Sequence, residues 1–186
     1  MEPVTIRPIG VIHTAFEHVE GMPIQAAAAA GAAGWIDIEP EFAEGLRDLD
    51  GFSHLIVLSW CHLAGPMKLS VIPFLDDQSH GIFATRSPAR PNPIALSTVQ
   101  LVGVTGTRLD IRDVDMLDGT PCLDIKPYVP ALDDRAGARI GWYTDRLGRL
   151  PSAKADDRFG QAGRDAERGD AERGDAERGG TEPTTS

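Results

Sequence analysis

A chain of 186 residues, of which 41% are hydrophobic and 25% charged, has the length and composition of one globular domain with a hydrophobic core. Its formal charge of −10 at pH 7 argues against non-specific binding to nucleic acid, which depends on a basic surface. The one long run of small residues, 26–34, is too weakly apolar to predict a membrane span.

The first third of the chain combines strand patterns with one long loop. Residues 4–13 are interpreted as a kinked edge strand, because Pro8 removes one backbone donor from an otherwise apolar pattern. Residues 17–34 predict a long loop, and residues 34–38 predict a short strand. Apolar side chains at helical spacing within residues 40–49 predict a short amphipathic helix.

The middle of the chain leads to a proline-rich loop. Residues 52–62 are a near-continuous apolar run, which predicts a strand buried on both faces, and residues 67–74 predict a shorter strand. We call residues 81–98 the arginine loop. It carries Arg86, Arg90 and three prolines, each of which fixes its own φ and restricts the residue before it. These arginines therefore lie on a backbone with little freedom.

The last predicted strands alternate apolar and polar residues. Residues 94–104 and 108–114 predict an antiparallel pair, residues 115–121 a turn, and residues 122–128 a final strand. Strand patterns about every ten residues, with only one helix, predict a mainly β fold that is either a small barrel or a sandwich.

The composition changes near residue 151, where we place the end of the folded domain. Residues 165–179 are three exact copies of Asp-Ala-Glu-Arg-Gly. A five-residue repeat with a glycine in each copy cannot present an apolar helix face or bury a core. The sequence therefore predicts one domain over residues 1–150 and a disordered, low-complexity tail over residues 151–186.

Several common catalytic and metal sites have no counterpart in the sequence. It contains no glycine-rich nucleotide-binding motif, no nucleophile elbow and no zinc-protease motif. His54 and His62 lie eight residues apart on one predicted strand, but no third ligand is close in sequence, so no metal site is predicted. Cys61 and Cys122 lack a CxxC spacing and are expected to be reduced thiols of a cytoplasmic protein.

Two polar clusters are the candidate functional sites. The first is the arginine loop, whose guanidiniums and Asn92 amide could bind a carboxylate or a phosphate. The second is the acidic turn, residues 115–121, followed by Asp124, Lys126 and Tyr128 on one face of the last strand. Its carboxylates could accept hydrogen bonds from hydroxyls or an amine. Together these groups suit a nucleoside-like ligand with charged appendages.

Each cluster can also be explained as a structural feature that binds no ligand. The arginine loop could be a proline-rich connection with solvated arginines, and the acidic turn could be a hairpin turn with a solvated face. Four arginines and one aspartate between residues 81 and 112 nevertheless form a basic island on an acidic protein. Such an island favours a specific anionic partner while the acidic surface repels others.

Several motifs resemble, in order, those of the TsaA-like (TrmO) family. They are residues 9–12 (IGVI), 52–55 (FSHL), 81–87 (GIFATRS), 90–94 (RPNPI), 118–121 (DGTP) and 124–128 (DIKPY). The resemblance covers about residues 4–130. It implies a single small antiparallel β-barrel, unlike Rossmann-type methyltransferases, that works as a homodimer with S-adenosylmethionine. Characterised members of that family methylate N6 of threonylcarbamoyladenosine at position 37 of tRNA.

The resemblance also implies functional residues. Those expected to bind the cofactor are Pro23, Ile24, Gln25, Cys61, His62, Arg86, Leu96, Asp115, Met116, Leu117 and Asp118. Those at motif positions near the catalytic centre are Arg90, Asn92, Asp124, Lys126 and Tyr128. The expected function is methyl transfer from S-adenosylmethionine to tRNA, with Arg86 or Arg90 binding the threonyl carboxylate or a phosphate of the substrate. Neither a metal nor a membrane is expected to take part.

Two other functions remain open at this point. One is methyl transfer to a small molecule by the same fold, favoured by the acidic charge and by the lack of the C-terminal domain that longer family members add. The other is a non-catalytic barrel that senses S-adenosylmethionine. All three functions are compatible with a homodimer in the cytoplasm.

Overall fold

Six antiparallel strands close into a barrel in the computed structural model, which describes residues 2–159. In order around the barrel they are β1 (Gly10–Thr14), β2 (Ala33–Ile38), β7 (Arg108–Arg112), β6 (Ile94–Thr105), β3 (His54–Trp60) and β8 (Thr120–Pro127). A separate two-stranded sheet pairs β4 (Ser70–Val71) with β5 (His80–Gly81). The prediction of a mainly β fold with a single small barrel is confirmed.

The helices are short and lie between or after the strands. The one α-helix among the described residues, α1, spans Pro130–Asp133. The 3₁₀-helices span Ala26–Ala28, Pro40–Leu46, Leu49–Gly51, Ile82–Ala84, Gly141–Asp145, Leu147–Ser152 and Asp157–Phe159. Within residues 2–159, none of these helices has the length and apolar character needed to cross a membrane.

Strand alternation places one face of each strand inside the barrel. In β3, Leu55, Val57 and Ser59 are buried, while the residues between them are only partly covered. The prediction that this strand is buried on both faces is wrong, because a closed barrel has a single interior. The barrel core consists of Ile12, Ile36, Ile38, Leu55, Val57, Val99, Leu101, Leu109, Ile111, Val114, Met116 and Cys122.

The first strand closes the barrel and does not lie at an edge. β1 pairs with β2 on one side and with β8 on the other. The predicted edge strand over residues 4–13 is therefore wrong, since β1 begins at Gly10, beyond Pro8. A glycine is required where the strands close, because a Cβ at Gly10 would lie 2.4 Å from the Asp37 carbonyl oxygen.

The predicted helix over residues 40–49 forms as two 3₁₀ turns. They are separated by Asp48, whose backbone is left-handed with a φ of 68°. Apolar side chains of this segment pack against the barrel core as the pattern predicted. The pattern therefore identified the buried side of the segment correctly but not the type of helix.

The predicted β6–β7 pair and the predicted strand over residues 67–74 differ in outcome. β6 and β7 form the predicted antiparallel pair, and the turn between them contains Gly106 with a φ of 60°. The strand predicted over residues 67–74 is reduced to the two residues of β4, and Pro73 limits its extension because it cannot donate a ladder hydrogen bond.

The chain after α1 returns across the arginine loop. We call residues 135–159 the C-terminal segment. Lys154 forms an antiparallel bridge with Pro23, and the Phe159 ring is buried in a small second hydrophobic cluster. The first nine residues of the predicted tail, 151–159, therefore pack against the domain, and the repeat lies outside the described residues.

Candidate functional site

Two adjoining cavities open beside the arginine loop. We name each after one of its lining residues: the Cys61 cavity, of about 390 Å³, and the Trp142 cavity, of about 740 Å³. Both volumes lie within the ~300–1,000 Å³ typical of sites for small ligands. The two cavities share a wall made of Ile24, Gln25, Phe74, Arg86, Pro88, Leu96, Ser97 and Phe159.

The arginine loop is held in shape by its own side chains. Arg90 Nη1 donates hydrogen bonds to the carbonyl oxygens of Thr85 and Ser87, at 3.1 and 3.2 Å. The Thr85 hydroxyl donates to the Ile82 carbonyl oxygen at 2.9 Å. Arg90 therefore braces the turn on which Arg86 is carried.

Arg86 projects from this turn and lines both cavities. Its Nη1 donates to Gln25 Oε1 at 2.8 Å, which ties the arginine loop to the loop after β1. Arg90, in contrast, is half-buried and lines only the smaller of the two cavities. Arg86 is thus the guanidinium that the two cavities have in common.

Asp115 supplies the carboxylate of the Cys61 cavity. The Ser97 hydroxyl donates to Asp115 Oδ1 at 2.6 Å, and the Ala26 amide also donates to this carboxylate. Burial raises the pKa of Asp115, while these hydrogen bonds and the nearby Arg86 guanidinium act to lower it. The net direction is upward, so Asp115 takes up a proton more readily than an exposed aspartate.

The turn after β7 directs Asp115 toward the cavity. Asp113 adopts a left-handed backbone with a φ of 63°, which aspartate tolerates better than most residues, and its carboxylate accepts from the Gly31 amide at 2.7 Å. Val114 and Met116, on either side of Asp115, are buried in the barrel core. Alternation along this stretch therefore turns Asp115 away from the core.

Two residues that follow β3 complete the Cys61 cavity. Burial and the Asp115 carboxylate raise the pKa of the Cys61 thiol to about 11, although Arg90 lowers it, so the thiol stays protonated at neutral pH. Burial lowers the pKa of His62, whose Nδ1 lies 3.4 Å from Thr120 Oγ1. In the part of the chain that the structure describes, no three His, Cys, Asp or Glu side chains are grouped to hold a metal ion.

The structure brings most of the expected cofactor-binding residues together. The Cys61 cavity is lined by ten of those eleven residues and by Arg90. The ten are Pro23, Ile24, Gln25, Cys61, His62, Arg86, Leu96, Asp115, Met116 and Leu117. Residues from four separate loops and one strand thus meet at one place, although their contact with a cofactor stays a prediction.

The other predicted residues line neither cavity. Asp118 accepts from the Thr14 amide at 3.1 Å and so ties the acidic turn to β1. Asp124 and Lys126 form an ion pair with each other on β8. The Tyr128 hydroxyl donates to Asp134 Oδ1 at 2.7 Å, and Asn92 is exposed on the arginine loop. The catalytic roles of this set stay predictions.

Sequence analysis missed several cavity residues. Ser97 lies inside the barrel strand β6, and only the fold shows that it reaches Asp115. Trp142 and Tyr143 line the Trp142 cavity from the C-terminal segment. A signal for them was present, because two adjacent aromatic residues followed by Leu147 and Leu150 are typical of packed chain rather than of a solvated linker.

Comparisons with known proteins agree with this architecture. The family model of the tRNA-methyltransferase O N-terminal domain matches residues 11–134. A Pyrococcus abyssi protein described as a probable S-adenosyl-L-methionine-binding protein is 50% identical over 156 residues, which are 84% of this chain and 85% of that protein. The mouse tRNA (adenine(37)-N6)-methyltransferase is 35% identical over 133 residues, which are 68% of this chain and 31% of the mouse protein.

A solved structure shows the same fold. The crystal structure of TrmO from Pseudomonas aeruginosa matches with a TM-score of 0.64 and 38% sequence identity. The match covers 76% of this chain and 63% of the Pseudomonas chain. This chain therefore spans less than two thirds of the length of that solved relative.

Proposed function

The chain belongs to the tRNA-methyltransferase O family, and on that premise we propose that it transfers a methyl group from S-adenosylmethionine to N6 of threonylcarbamoyladenosine at position 37 of tRNA. The observation that carries this proposal is the pair of adjoining cavities with Arg86 in their shared wall. Methyl transfer needs one site for the donor and one for the acceptor, placed so that the reacting atoms meet.

The Cys61 cavity has the chemistry of a donor site. Asp115 can accept hydrogen bonds from ribose hydroxyls or from the amine of S-adenosylmethionine, and Ile24, Leu96 and Met116 offer apolar contacts to its adenine ring. The names of relatives as S-adenosylmethionine-binding proteins support this assignment. When bound, S-adenosylmethionine supplies an electrophilic methyl group on a positively charged sulfur.

The surroundings of Asp115 determine which part of S-adenosylmethionine its carboxylate can contact. A fixed anion beside the sulfur would hinder transfer, because the positive charge there is lost as the reaction proceeds. The hydrogen bond from Ser97 and the nearby Arg86 reduce the free charge of the Asp115 carboxylate. We therefore assign Asp115 to the amine or the ribose and not to the sulfur.

Arg86 is assigned to the acceptor, and His62 lines the donor cavity, from which the methyl group is transferred. Arg86 binds the anionic part of the acceptor, because its guanidinium lines both cavities while Arg90 is occupied with backbone carbonyls. Burial favours the neutral form of His62. His62 or water takes the proton that N6 loses as the new N–C bond forms, the S–C bond breaks and its electron pair stays on sulfur.

The test measures donor binding and methyl transfer separately. Calorimetry with S-adenosylmethionine is expected to show binding by the wild-type protein, and labelled methyl is expected to appear in tRNA that carries the modified adenosine. At saturating S-adenosylmethionine, Arg86→Ala is expected to lower kcat/KM for tRNA about tenfold or more, because a charge-assisted hydrogen bond contributes about 1.5–3 kcal/mol. Arg86→Lys should restore part of the loss, and an unchanged kcat/KM in Arg86→Ala contradicts this role.

Methyl transfer to a small molecule is the second candidate. It is favoured by the net charge of −10, because an acidic protein repels the phosphates of a nucleic acid. Mass spectrometry of tRNA nucleosides from a deletion strain separates the two candidates. Loss of the methylated nucleoside supports tRNA as acceptor, undiminished levels support a small molecule, and tight donor binding without turnover on any acceptor supports a sensor.

We also propose that the protein is a homodimer of the cytoplasm, where its tRNA acceptor occurs. β6 exposes the apolar side chains of Ile94 and Leu96 in the wall of the Cys61 cavity, at 37% and 54% of their surface, where a second copy could cover them. Sedimentation equilibrium should give twice the chain mass at micromolar concentration. The mass of a single chain under those conditions contradicts the dimer.

A further inference from the structure

The larger of the two cavities is built in large part by a region beyond the family match. The Trp142 cavity receives Ile140, Trp142, Tyr143, Leu147, Leu150 and Phe159 from the C-terminal segment. The family model ends at residue 134, so none of these side chains belongs to the matched domain. The barrel side of the same cavity includes Arg86 and Ser97.

A stack of aromatic rings runs into this cavity. The His80 and Trp142 rings stack with centroids 4.6 Å apart and planes inclined by 17°. The Trp142 and Tyr143 rings continue the stack at 3.8 Å and 25°. Trp142 thus stacks with two other rings, and Tyr143 is the last ring of the stack that the structure records. A nucleobase that has left its own stack in RNA can stack on such a ring, because every base has a π face.

The stack is held in place by polar contacts with the loops beneath it. Trp142 Nε1 donates to the Ala84 carbonyl oxygen at 2.8 Å, within the arginine loop. Asp76, whose side chain is 5% exposed, accepts from His80 at 3.1 Å and from Arg146 at 3.2 Å. These contacts hold the His80 and Trp142 rings in place. Tyr143 is then positioned by its stacking on Trp142.

The last ring of the stack, Tyr143, shares its cavity with a positively charged side chain. Arg86 and Tyr143 line the same cavity, where burial raises the pKa of Tyr143 and the Arg86 guanidinium acts to lower it. A ligand that stacks on Tyr143 therefore has a cation beside it. A purine carrying an anionic substituent matches both groups at once.

We propose that an unstacked adenine base of tRNA enters the Trp142 cavity and stacks on the ring of Tyr143. This proposal rests on the proposed function and adds an acceptor site that the C-terminal segment completes. The volume of about 740 Å³ accommodates a nucleoside with a side group, and the shared wall at Arg86 places it next to the Cys61 cavity. Tyr143 is a substrate-binding residue of this site, and Trp142 positions it.

The variant that tests stacking is Tyr143→Leu, which keeps an apolar side chain but removes the ring. Tyr143→Phe keeps the ring and removes the hydroxyl. Leu132→Ala is the matched control, because Leu132 is 67% exposed in α1 and lines neither cavity. Circular dichroism confirms that each variant is folded before it is assayed.

Two measurements are made on each variant. The first is KM for tRNA at saturating S-adenosylmethionine, which Tyr143→Leu is expected to raise about fivefold or more, whereas Tyr143→Phe and Leu132→Ala leave it unchanged. The second is the affinity for an anticodon stem-loop with adenine or with an abasic site at position 37, followed by fluorescence anisotropy. Wild type should prefer adenine, and Tyr143→Leu should lose that preference, while calorimetry shows the same affinity for S-adenosylmethionine in all variants.

The outcomes separate this proposal from the function it rests on. If wild type methylates tRNA and Tyr143→Leu has the wild-type KM and adenine preference, stacking on Tyr143 is overturned alone. If wild type transfers no methyl group but its adenine preference depends on Tyr143, the base site stands and the proposed reaction is overturned. If wild type does not distinguish adenine from the abasic site, the base site is overturned.

Discussion

The barrel interior and the cavity walls overlap at a few residues such as Met116, but they differ in their main components and in the forces that hold them. The interior is made of strand residues such as Leu55 and Ile36, which are fully buried and come from regular, alternating patterns. The cavity walls join β6 residues such as Leu96 to loop residues such as Arg86 and Trp142, and the loop residues are held by single hydrogen bonds to backbone carbonyls and neighbouring loops. Stability is therefore concentrated in the barrel, and ligand chemistry in the loops beside it.

The largest expected effect is the loss of a barrel-core side chain. Leu55→Ala should lower the free energy of unfolding by about 2–5 kcal/mol, because it leaves a cavity in a close-packed interior. Urea denaturation of the purified protein measures this change. The exposed Leu132→Ala should stay within about 0.5 kcal/mol of wild type. Equal losses in the two variants would contradict the concentration of stability in the barrel.

Barrel closure at Gly10 gives the next largest effect. A Cβ there would lie 2.4 Å from a backbone oxygen, so Gly10→Ala should lower the free energy of unfolding by about 1–3 kcal/mol. Gly45→Ala is the matched control, because nothing lies within 4 Å of a Cβ at that position. This control should gain up to about 1 kcal/mol, since alanine restricts the unfolded chain. A thermal melt in which both variants match wild type would contradict tight closure.

Replacing each of the two arginines of the arginine loop should change the free energy of unfolding by different amounts. Arg90→Ala removes donors to two backbone carbonyls and should lower the free energy of unfolding by about 1–2 kcal/mol. Arg86→Ala removes an exposed side chain and should stay within about 0.5 kcal/mol of wild type. Denaturant titration of both variants tests this division. A larger loss in Arg86→Ala than in Arg90→Ala would reverse the roles assigned to them.

The smallest expected effect is a pH trend at Asp115. Because burial raises the pKa of this carboxyl above its ordinary 3.8, the stability it contributes is present below that value and is lost as pH rises through the folded pKa. Asp115→Asn cannot ionise, so its stability relative to wild type should increase with pH over that window. Urea denaturation at several pH values measures the trend, and calorimetry should show weaker binding of S-adenosylmethionine. A stability difference that does not vary with pH would contradict the raised pKa.

The barrel could be predicted from local patterns, and the places where prediction failed have a physical cause. The β6–β7 pair was recognised because alternation and a turn glycine are both local signals. The extent of burial of β3 and the partners of β1 were not predictable in the same way. Both depend on closure of the sheet, which is decided by pairings between distant strands.

The site was predicted at the level of residue types but not of individual roles. Sequence motifs pointed to Arg86, Arg90 and Asp115, and all three line the Cys61 cavity. The division between the two arginines depends on which carbonyl oxygens the folded loop presents to Arg90, and no local pattern contains that information. The aromatic pair and the leucines of the C-terminal segment are a signal of packed chain, but its short 3₁₀-helices have no sustained apolar period that would predict where the segment packs.

The path of the C-terminal segment has a consequence for truncated versions of the protein. A chain cut at residue 134, the end of the family match, would keep all six barrel strands. It would lose Trp142, Tyr143 and Phe159, and with them one wall of the Trp142 cavity and a residue of the shared wall. Such a protein should fold, but its Trp142 cavity would lack one wall and be open to solvent. The shortest chain that folds is therefore shorter than the shortest chain that forms the complete site.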